Sequence, residues 1–458
     1  MLRRTFYMDF DILPLLLALV GGYLLIKLRF FFILHPIRTA RRGLRAIRDR
    51  RTLRSFSLAL AGTLGVGNVF GVAIGILVGG AGSLFWLFVS MLFAMVIKYA
   101  EVVLTSDNLF HDTDTHGGFY YVIRMSFSRL GGALSSLYAL IILLLSLVMG
   151  AALQTDAVTE ALAGIVDFPT VFPTFFLAFI ILLGIAGGTR RIEKITSVVI
   201  PITTIVYIFL TFYIILTHFG ELGTVVERML SSAFSERSIV GGGIGFLTSR
   251  PMREGFARGM LSNEAGAGTS AMAHARSGVL SPSTAGLLGI FEVWFDTGLI
   301  CILTGLSILL IVPDPTILDG GMQLVMYAMG SVYGAVGKYA VLLCVFAFAF
   351  ATVICWYYYG TEAWSSLFGR RHRYVFLPIF LLFVILGCYL DSYLLVSTTD
   401  ALMLLATLLT LSAIMKNSDR VKALSESGGV IDSDKCRLRP FGIRRIRGSG
   451  SWKGGKRR

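Results

Sequence analysis

The sequence predicts an all-α polytopic membrane protein with about 11 transmembrane helices, and three observations carry that reading. Of its 458 residues 55% are hydrophobic and 15% charged, with a mean hydropathy of +0.76, values that exclude an ordinary soluble protein. Apolar runs of roughly 20 residues recur along the chain, each long enough for a helix to cross the hydrocarbon core. Between them basic and acidic loops alternate, the charge bias that orients membrane spans. The net charge of +14 sits mainly on loop and tail arginines, which fits a lipid surface better than nucleic acid. Of the five cysteines, four lie in apolar runs and Cys436 in the tail. None forms a CxxC pair, so neither a disulfide framework nor a zinc site is indicated.

Span 1 runs from about Ile12 to Phe32 and continues past Leu25 into a basic loop, so it reads as a span and not a cleaved signal. Eight arginines between Arg38 and Arg54 make that loop cytoplasmic and put the N-terminus outside. Span 2, residues 59–82, contains Leu60-Ala-Gly-Thr-Leu-Gly-Val-Gly-Asn-Val-Phe-Gly71. Glycine costs a helix interior about 1 kcal/mol relative to alanine, and lipid offers freed backbone groups no partner. A span that breaks its own helix therefore uses those groups elsewhere. Secondary transporters use such breaks to hold a substrate and its coupling ion near the membrane midplane, whereas close helix packing is the plainer use of small residues.

Span 3 runs from about Ser83 to Leu104. After it, His111-Asp-Thr-Asp-Thr-His116 offers two histidines and two aspartates without a third His or Cys, and reads as a solvated loop before a metal site. Spans 4 (about Ala133 to Val158), 5 (about Phe172 to Gly187) and 6 (about Ile195 to Thr217) follow. Glu160 and Asp167 mark an outer loop, Arg190, Arg191 and Lys194 an inner one, and Glu221, Glu227 and Glu236 the next outer segment.

Residues 240–276 carry Arg250, Arg253, Arg258, Asn263 and Glu264 among many glycines, and hydropathy alone makes them a loop. If they did not cross, the loop with Asp314 and Asp319 would be inside and the Arg370, Arg371, Arg373 cluster outside, reversing the charge bias twice. They are therefore span 7, centred on Ser262-Asn-Glu-Ala-Gly-Ala-Gly-Thr269, a second glycine-broken helix. Ionisable residues at that depth are functional candidates by default. Spans 8 (about Ala285 to Val312), 9 (about Ala335 to Ser365), 10 (about Val375 to Tyr389) and 11, ending near Met415, complete the series. Residues 1–54 form the first helix and basic loop, 55–237 a first group of five spans and 238–415 a second. Each group is broken in its first helix, and an odd span count gives the groups opposite orientation, as inverted repeats require. Residues 416–458, thirteen of them Lys or Arg, read as a disordered cytoplasmic tail.

Several runs stand out together: the span 2 motif, Lys98-Tyr-Ala-Glu-Val-Val103, Gly187-Gly-Thr-Arg-Arg-Ile-Glu-Lys-Ile195, Ala257-Arg-Gly-Met-Leu-Ser-Asn-Glu-Ala-Gly-Ala-Gly268 and Phe348-Ala-Phe-Ala-Thr-Val-Ile-Cys-Trp-Tyr-Tyr-Tyr-Gly360. From about residue 10 to 415 the chain resembles the alanine-or-glycine:cation symporter family (sodium:alanine symporters). The resemblance implies a 5+5 inverted-repeat core of the neurotransmitter:sodium symporter type with one extra N-terminal helix. It also implies sodium-coupled symport of a small neutral amino acid, alanine or glycine, across the plasma membrane by alternating access. An amino acid is a zwitterion, and a broken helix offers N–H groups to its carboxylate and carbonyls to its ammonium or to Na+. Gly65, Val66, Gly67 and Asn68 are the candidates for the carboxylate. The carbonyls of Ser262, Asn263, Glu264 and Ala265 are candidates for the ammonium, and Gly266 and Gly268 let that backbone approach a ligand.

The resemblance further implies that Gln154 and Trp356 line the pocket, and that Na+ lies between the first break and span 9, where Thr352 supplies a hydroxyl. Thr63 and Glu264 are further ion candidates; Glu264 also reads as a proton site or as a partner of Arg258 or Arg253. The chain departs from the family pattern at Val66 (usually Thr), Ala351 (usually Ser), Ala267 (usually Met or Leu) and Asp156 (usually Asn). The first two remove oxygens near the carboxylate and sodium sites, and the third leaves room for a larger substrate. Proton-coupled symport of a larger neutral amino acid is thus the second reading, and a non-transporting amino-acid sensor the third. No Walker A sequence appears, Gly65-Val-Gly67 lacks a surrounding βαβ unit, and no nucleophilic triad is suggested. Neither ATP, an organic cofactor nor enzymatic chemistry is expected; Na+ is the expected coupling ion.

Overall fold

A computed structural model of the protein describes residues 12–107, 118–165, 171–234, 249–275, 281–318 and 320–431, and among them every regular element is a helix. The run from His111 to His116, with Asp167, Glu236, Asp319 and residues 432–458, lies outside the described residues. Helix α1 (Ile12–Lys27) stops earlier than the expected span 1, because Arg29 and Phe30 take left-handed backbone (φ 58° and 50°). The chain turns there into α2 (Phe31–Leu34) and α3 (Pro36–Ala46), whose first turn is preset by Pro36. Helix α4 (Arg50–Thr63) opens on Asp49, whose carboxylate accepts from the amides of Arg51 and Thr52, both at 2.9 Å.

The broken helix continues as α5 (Phe70–Gly79), and α6 (Gly82–Thr105) follows. Then come α7 (Phe119–Ser126), α8 (Gly131–Leu147) and α9 (Leu153–Ala163), the last two joined by a π-helical turn, Val148–Ala152. α10 (Val171–Ile185), α11 (Gly188–Thr217) and α12 (Leu222–Ala233) complete the first half. The second half opens with α13 (Arg250–Asn263) and α14 (Thr269–Ala275), the second broken pair. α15 (Pro282–Val293) and α16 (Ile302–Ile311) are joined by a π-helical stretch, Trp294–Cys301. α17 (Gly321–Phe368) bends at Gly334 (φ 63°), so span 9, expected from Ala335, begins just past the bend. α18 (Arg373–Leu386), α19 (Ser392–Lys416) and α20 (Ser418–Ser427) end the series.

Among the described residues six helical rods are long and apolar enough to cross a membrane: α6, α8 with α9, α11, α15 with α16, α17 and α19. The pair formed by α4 and the Val66–Gly79 segment, bent by 59°, makes a seventh. Each of the expected segments falls on a helix or a broken helix pair, including the poorly apolar residues 250–275. α6 packs against α13, α15 and α1, while α4 lies between α11, α14 and α17, which places both breaks inside the helix bundle.

The expected disorder of the tail does not hold at its start. Composition reads charge as solvated, but Arg420 grips Asp107 through two nitrogens (2.7 and 3.1 Å) and Lys27 reaches Asp419 at 2.8 Å. Ser425 is buried, 2.7 Å from the Tyr99 hydroxyl, so α20 is docked on the body.

Candidate functional site

At the first break α4 ends at Thr63 and a 3-10 turn, Val66–Asn68, precedes α5. A Cβ on Gly65 would lie 2.8 Å from Thr352 Oγ1 and 3.0 Å from Gln154 Oε1, so only glycine lets both side chains reach this backbone. Gln154 Oε1 accepts from the Val66 amide at 3.1 Å, and its Nε2 donates to the Met149 carbonyl in the π turn at 3.1 Å. One face of α17 meets carbonyls in the last turns of α4. The Thr352 hydroxyl donates to Ala61 O at 2.9 Å and stands 3.5 Å from Leu64 O; Cys355 Sγ donates to Leu58 O, and Trp356 Nε1 to Gly62 O at 3.3 Å. These three side chains follow the i, i+3, i+4 spacing that puts residues on one helix face.

At the second break Glu264 is left-handed (φ 53°), as are Gly266 (φ 93°) and Gly268 (φ 72°). A non-glycine residue there persists only where its surroundings hold it. Glu264 accepts from the Thr269 hydroxyl and, at 3.1 Å, from Trp356 Nε1. Asn263 Oδ1 accepts from the Ala265 amide at 2.9 Å. The fully buried Glu101 accepts from both the Gly266 and Gly268 amides, at 2.6 and 3.2 Å. Thr410 donates to Gly266 O and Tyr138 to Ala267 O. Lys98, also fully buried, donates to Ser270 Oγ at 2.8 Å and lies 3.9 Å from Glu101 and 3.8 Å from Glu292. Glu292 in turn meets His274 Nε2 at 2.6 Å. A short half-helix is thus tied to α6 through Ser270 and to α15 through His274, around the ion pairs of Lys98.

Two connections join the breaks. Trp356 Nε1 stands between Gly62 O of the first and Glu264 Oε1 of the second. Asn68 Nδ2 donates to Asp296, which also accepts from Ser262 Oγ and from Thr297 Oγ1 (3.0 Å), and Asn263 Nδ2 donates to Thr297 at 3.0 Å. Asp296 sits on the π-helical stretch and is fully buried, while Asn68 Oδ1 is buried without a hydrogen-bond partner among the described residues. A carboxylate, an amide oxygen and two hydroxyls in one buried place form a donor set for a hard cation, which prefers oxygen ligands.

The expected candidates therefore gather at one place: Gly65, Val66, Gly67, Asn68 and Gln154 on one side, Asn263 to Gly268 on the other, and Trp356 between. Thr352 lies against the α4 carbonyls. Thr63 instead turns its hydroxyl to Ala59 O and Leu60 O of its own helix, both at 3.5 Å. Arg258, one proposed partner for Glu264, pairs with Asp400 and lies 3.5 Å from Glu254. The Val66 amide is held by Gln154, and the Gly266 and Gly268 amides by Glu101. Asp296, Glu292 and His274 were not singled out in the sequence. A lone acid within an apolar run was the available signal for Asp296.

The sodium:alanine symporter family model matches residues 3–426. An uncharacterized transporter of Haemophilus influenzae is 28% identical over 418 residues, 88% of this chain and 91% of that protein. The sodium/alanine symporter AgcS of Methanococcus maripaludis is 28% identical over 396 residues, 85% of this chain and 84% of that protein. Among solved structures, MhsT in complex with L-phenylalanine matches with a TM-score of 0.60 at 13% identity, over 83% of this chain and 95% of that one, a likeness of fold.

Proposed function

Because the chain belongs to the sodium:alanine symporter family, we propose that this multi-pass secondary transporter couples Na+ to the uptake of alanine or glycine across the plasma membrane. The observation that carries the reading is the meeting of two broken helices at Trp356, in a place buried on all sides. Each break presents half-helix ends of opposite polarity, as a zwitterion requires. The substrate carboxylate takes the amides around Gly65 to Asn68, with Gln154 yielding or sharing Val66. The ammonium takes the carbonyls of the second break. Thr352 with the Ala61 and Leu64 carbonyls supplies oxygens for Na+, and Asn68, Ser262, Asp296 and Thr297 supply a second set. The eleven segments are read as eleven crossings, with the N-terminus outside and the C-terminus cytoplasmic.

Proton-coupled symport of a larger amino acid is the second reading. Glu264 favours it, being hydrogen-bonded by two neutral donors, Trp356 and Thr269, and so does the small side chain of Ala267. Uptake of labelled alanine and glycine into proteoliposomes, under an inward Na+ gradient and separately under a matched H+ gradient, divides the two. Sodium-driven accumulation is expected. Accumulation under protons alone replaces Na+ in the reading, and the absence of counterflow exchange for any neutral amino acid removes transport altogether.

A further inference from the structure

We propose that the cleft formed by α2 and α3 is a binding site for the headgroup of an anionic phospholipid, whose acyl chain lies along α1. The inference rests on the membrane placement of α1 and is independent of which amino acid or ion is carried. The left-handed turn at Arg29 and Phe30 folds α2 back onto the bundle, where Phe31 and Phe32 are buried and the Phe31 ring stands 5.0 Å from that of Tyr99. α3 is seated just as firmly: a Cβ on Gly43 would lie 2.0 Å from the Phe291 ring. A cavity of about 480 Å3 opens between these anchors, lined by Leu34, Ile37, Arg38, Arg41, Arg42 and Arg45 among others.

Charge and apolar surface there call for one kind of molecule. Between Arg38 and Arg54 the sequence has eight arginines and a single acid, Asp49, which is engaged by the amides at the start of α4. Arg38 and Arg42 each donate to the Gly429 carbonyl, and Arg41 and Arg45 are exposed. Guanidinium forks match phosphate oxygens in pairs. Beside them Leu34 and Ile37 are 64% and 76% exposed, and the outward face of α1, from Ile12 through Leu15, Leu19 and Tyr23 to Ile26, is an exposed apolar stripe at helical spacing leading to the cleft. A free anion would satisfy the arginines and leave Leu34 and Ile37 uncovered; a neutral lipid would cover them and leave Arg41 and Arg45 without a counter-charge. An anionic phospholipid fits both.

Full-length protein in neutral detergent, titrated with fluorescent phosphatidylglycerol and phosphatidylcholine, tests this directly. Phosphatidylglycerol should bind at least tenfold more tightly. Arg41→Gln with Arg45→Gln should weaken it about thirtyfold, taking each arginine at its usual contribution near a charged surface. Arg41→Lys with Arg45→Lys should retain most of the binding and serves as the folding control. Equal binding of the two lipids would overturn the proposal. An equal loss from Arg370→Gln with Arg371→Gln would also do so, by making the attraction a diffuse surface charge. Displacement by millimolar inorganic phosphate would make the ligand a free anion instead of a lipid.

Discussion

The two helix breaks are held by different chemistry. Mostly neutral groups meet the first: a glutamine on the Val66 amide and a threonine and a tryptophan on the α4 carbonyls, with the carboxyl of Asp296 reached by Asn68. Ionisable ones meet the second: Glu101 on two amides, Lys98 between Glu101 and Glu292, and Glu264 against Thr269. A neutral hydrogen bond contributes about 1 kcal/mol net and can be exchanged for one to a ligand. Removing one partner of a buried ion pair costs about 3–5 kcal/mol. On the proposed function, the first break is the side on which ligands would trade places with protein groups, and the second is a more firmly held frame.

Removing the frame should have the largest effect. Glu101→Ala strips the acceptor from the Gly266 and Gly268 amides and takes one of two carboxylates from Lys98, a loss of about 3–5 kcal/mol. The melting temperature of the purified protein should fall steeply, or folded protein should not be recovered; an unchanged melting curve would mean that the second break is not held as described. Gln154→Ala, at the first break, leaves the buried Val66 amide unpaired at a cost of about 1–3 kcal/mol. Its melting temperature should drop less than that of Glu101→Ala, while the concentration of alanine for half-maximal uptake rises. The reverse order of the two variants would erase the distinction between the breaks.

Thr352→Val keeps the shape and loses only the hydroxyl. It should cost about 1–3 kcal/mol of stability, because the buried Ala61 carbonyl loses its donor, and raise the sodium concentration for half-maximal uptake about tenfold, the loss of one oxygen ligand worth about 1.4 kcal/mol. Ala351→Ser, which adds an oxygen beside it, should lower that concentration. The smallest effect belongs far from both breaks. The Lys27 hydrogen bond holds the Asp419 carboxyl below its ordinary value, so that contact stabilises the docked tail above about pH 4 and fades as pH falls further. Asp419 is exposed, so Asp419→Asn should change stability at neutral pH by less than about 1 kcal/mol, as read by chemical denaturation.

Both breaks were legible in the sequence as clustered glycine with asparagine, the first inside an apolar run where close helix packing was the competing use, and the appearance of a second cluster separated the two readings. The second needed more than hydropathy. Arg258 lowers the average of its segment, yet it is neutralised by Asp400, 142 positions away on α19, and only the alternation of loop charge pointed to a crossing. Asp296 stayed hidden for a related reason. One acid within an apolar run barely moves an average, and its partner Asn68 is 228 positions distant, so no local window contains the pair. Lys98 and Glu101 stood within a recognised motif, but their task is defined by amides more than 160 positions away. The docking of α20 was unreadable because Asp107 and Lys27, which hold it, lie at the other end of the chain.

The most direct test of the central claim, that the first break with Thr352 holds the coupling ion, is calorimetric binding of alanine to the purified protein across a sodium series, in the wild type and in Thr352→Val. Alanine affinity should rise with sodium in the wild type, and in the variant the same rise should need about ten times more sodium. Identical sodium curves for the two proteins, or alanine binding indifferent to sodium in both, would contradict it.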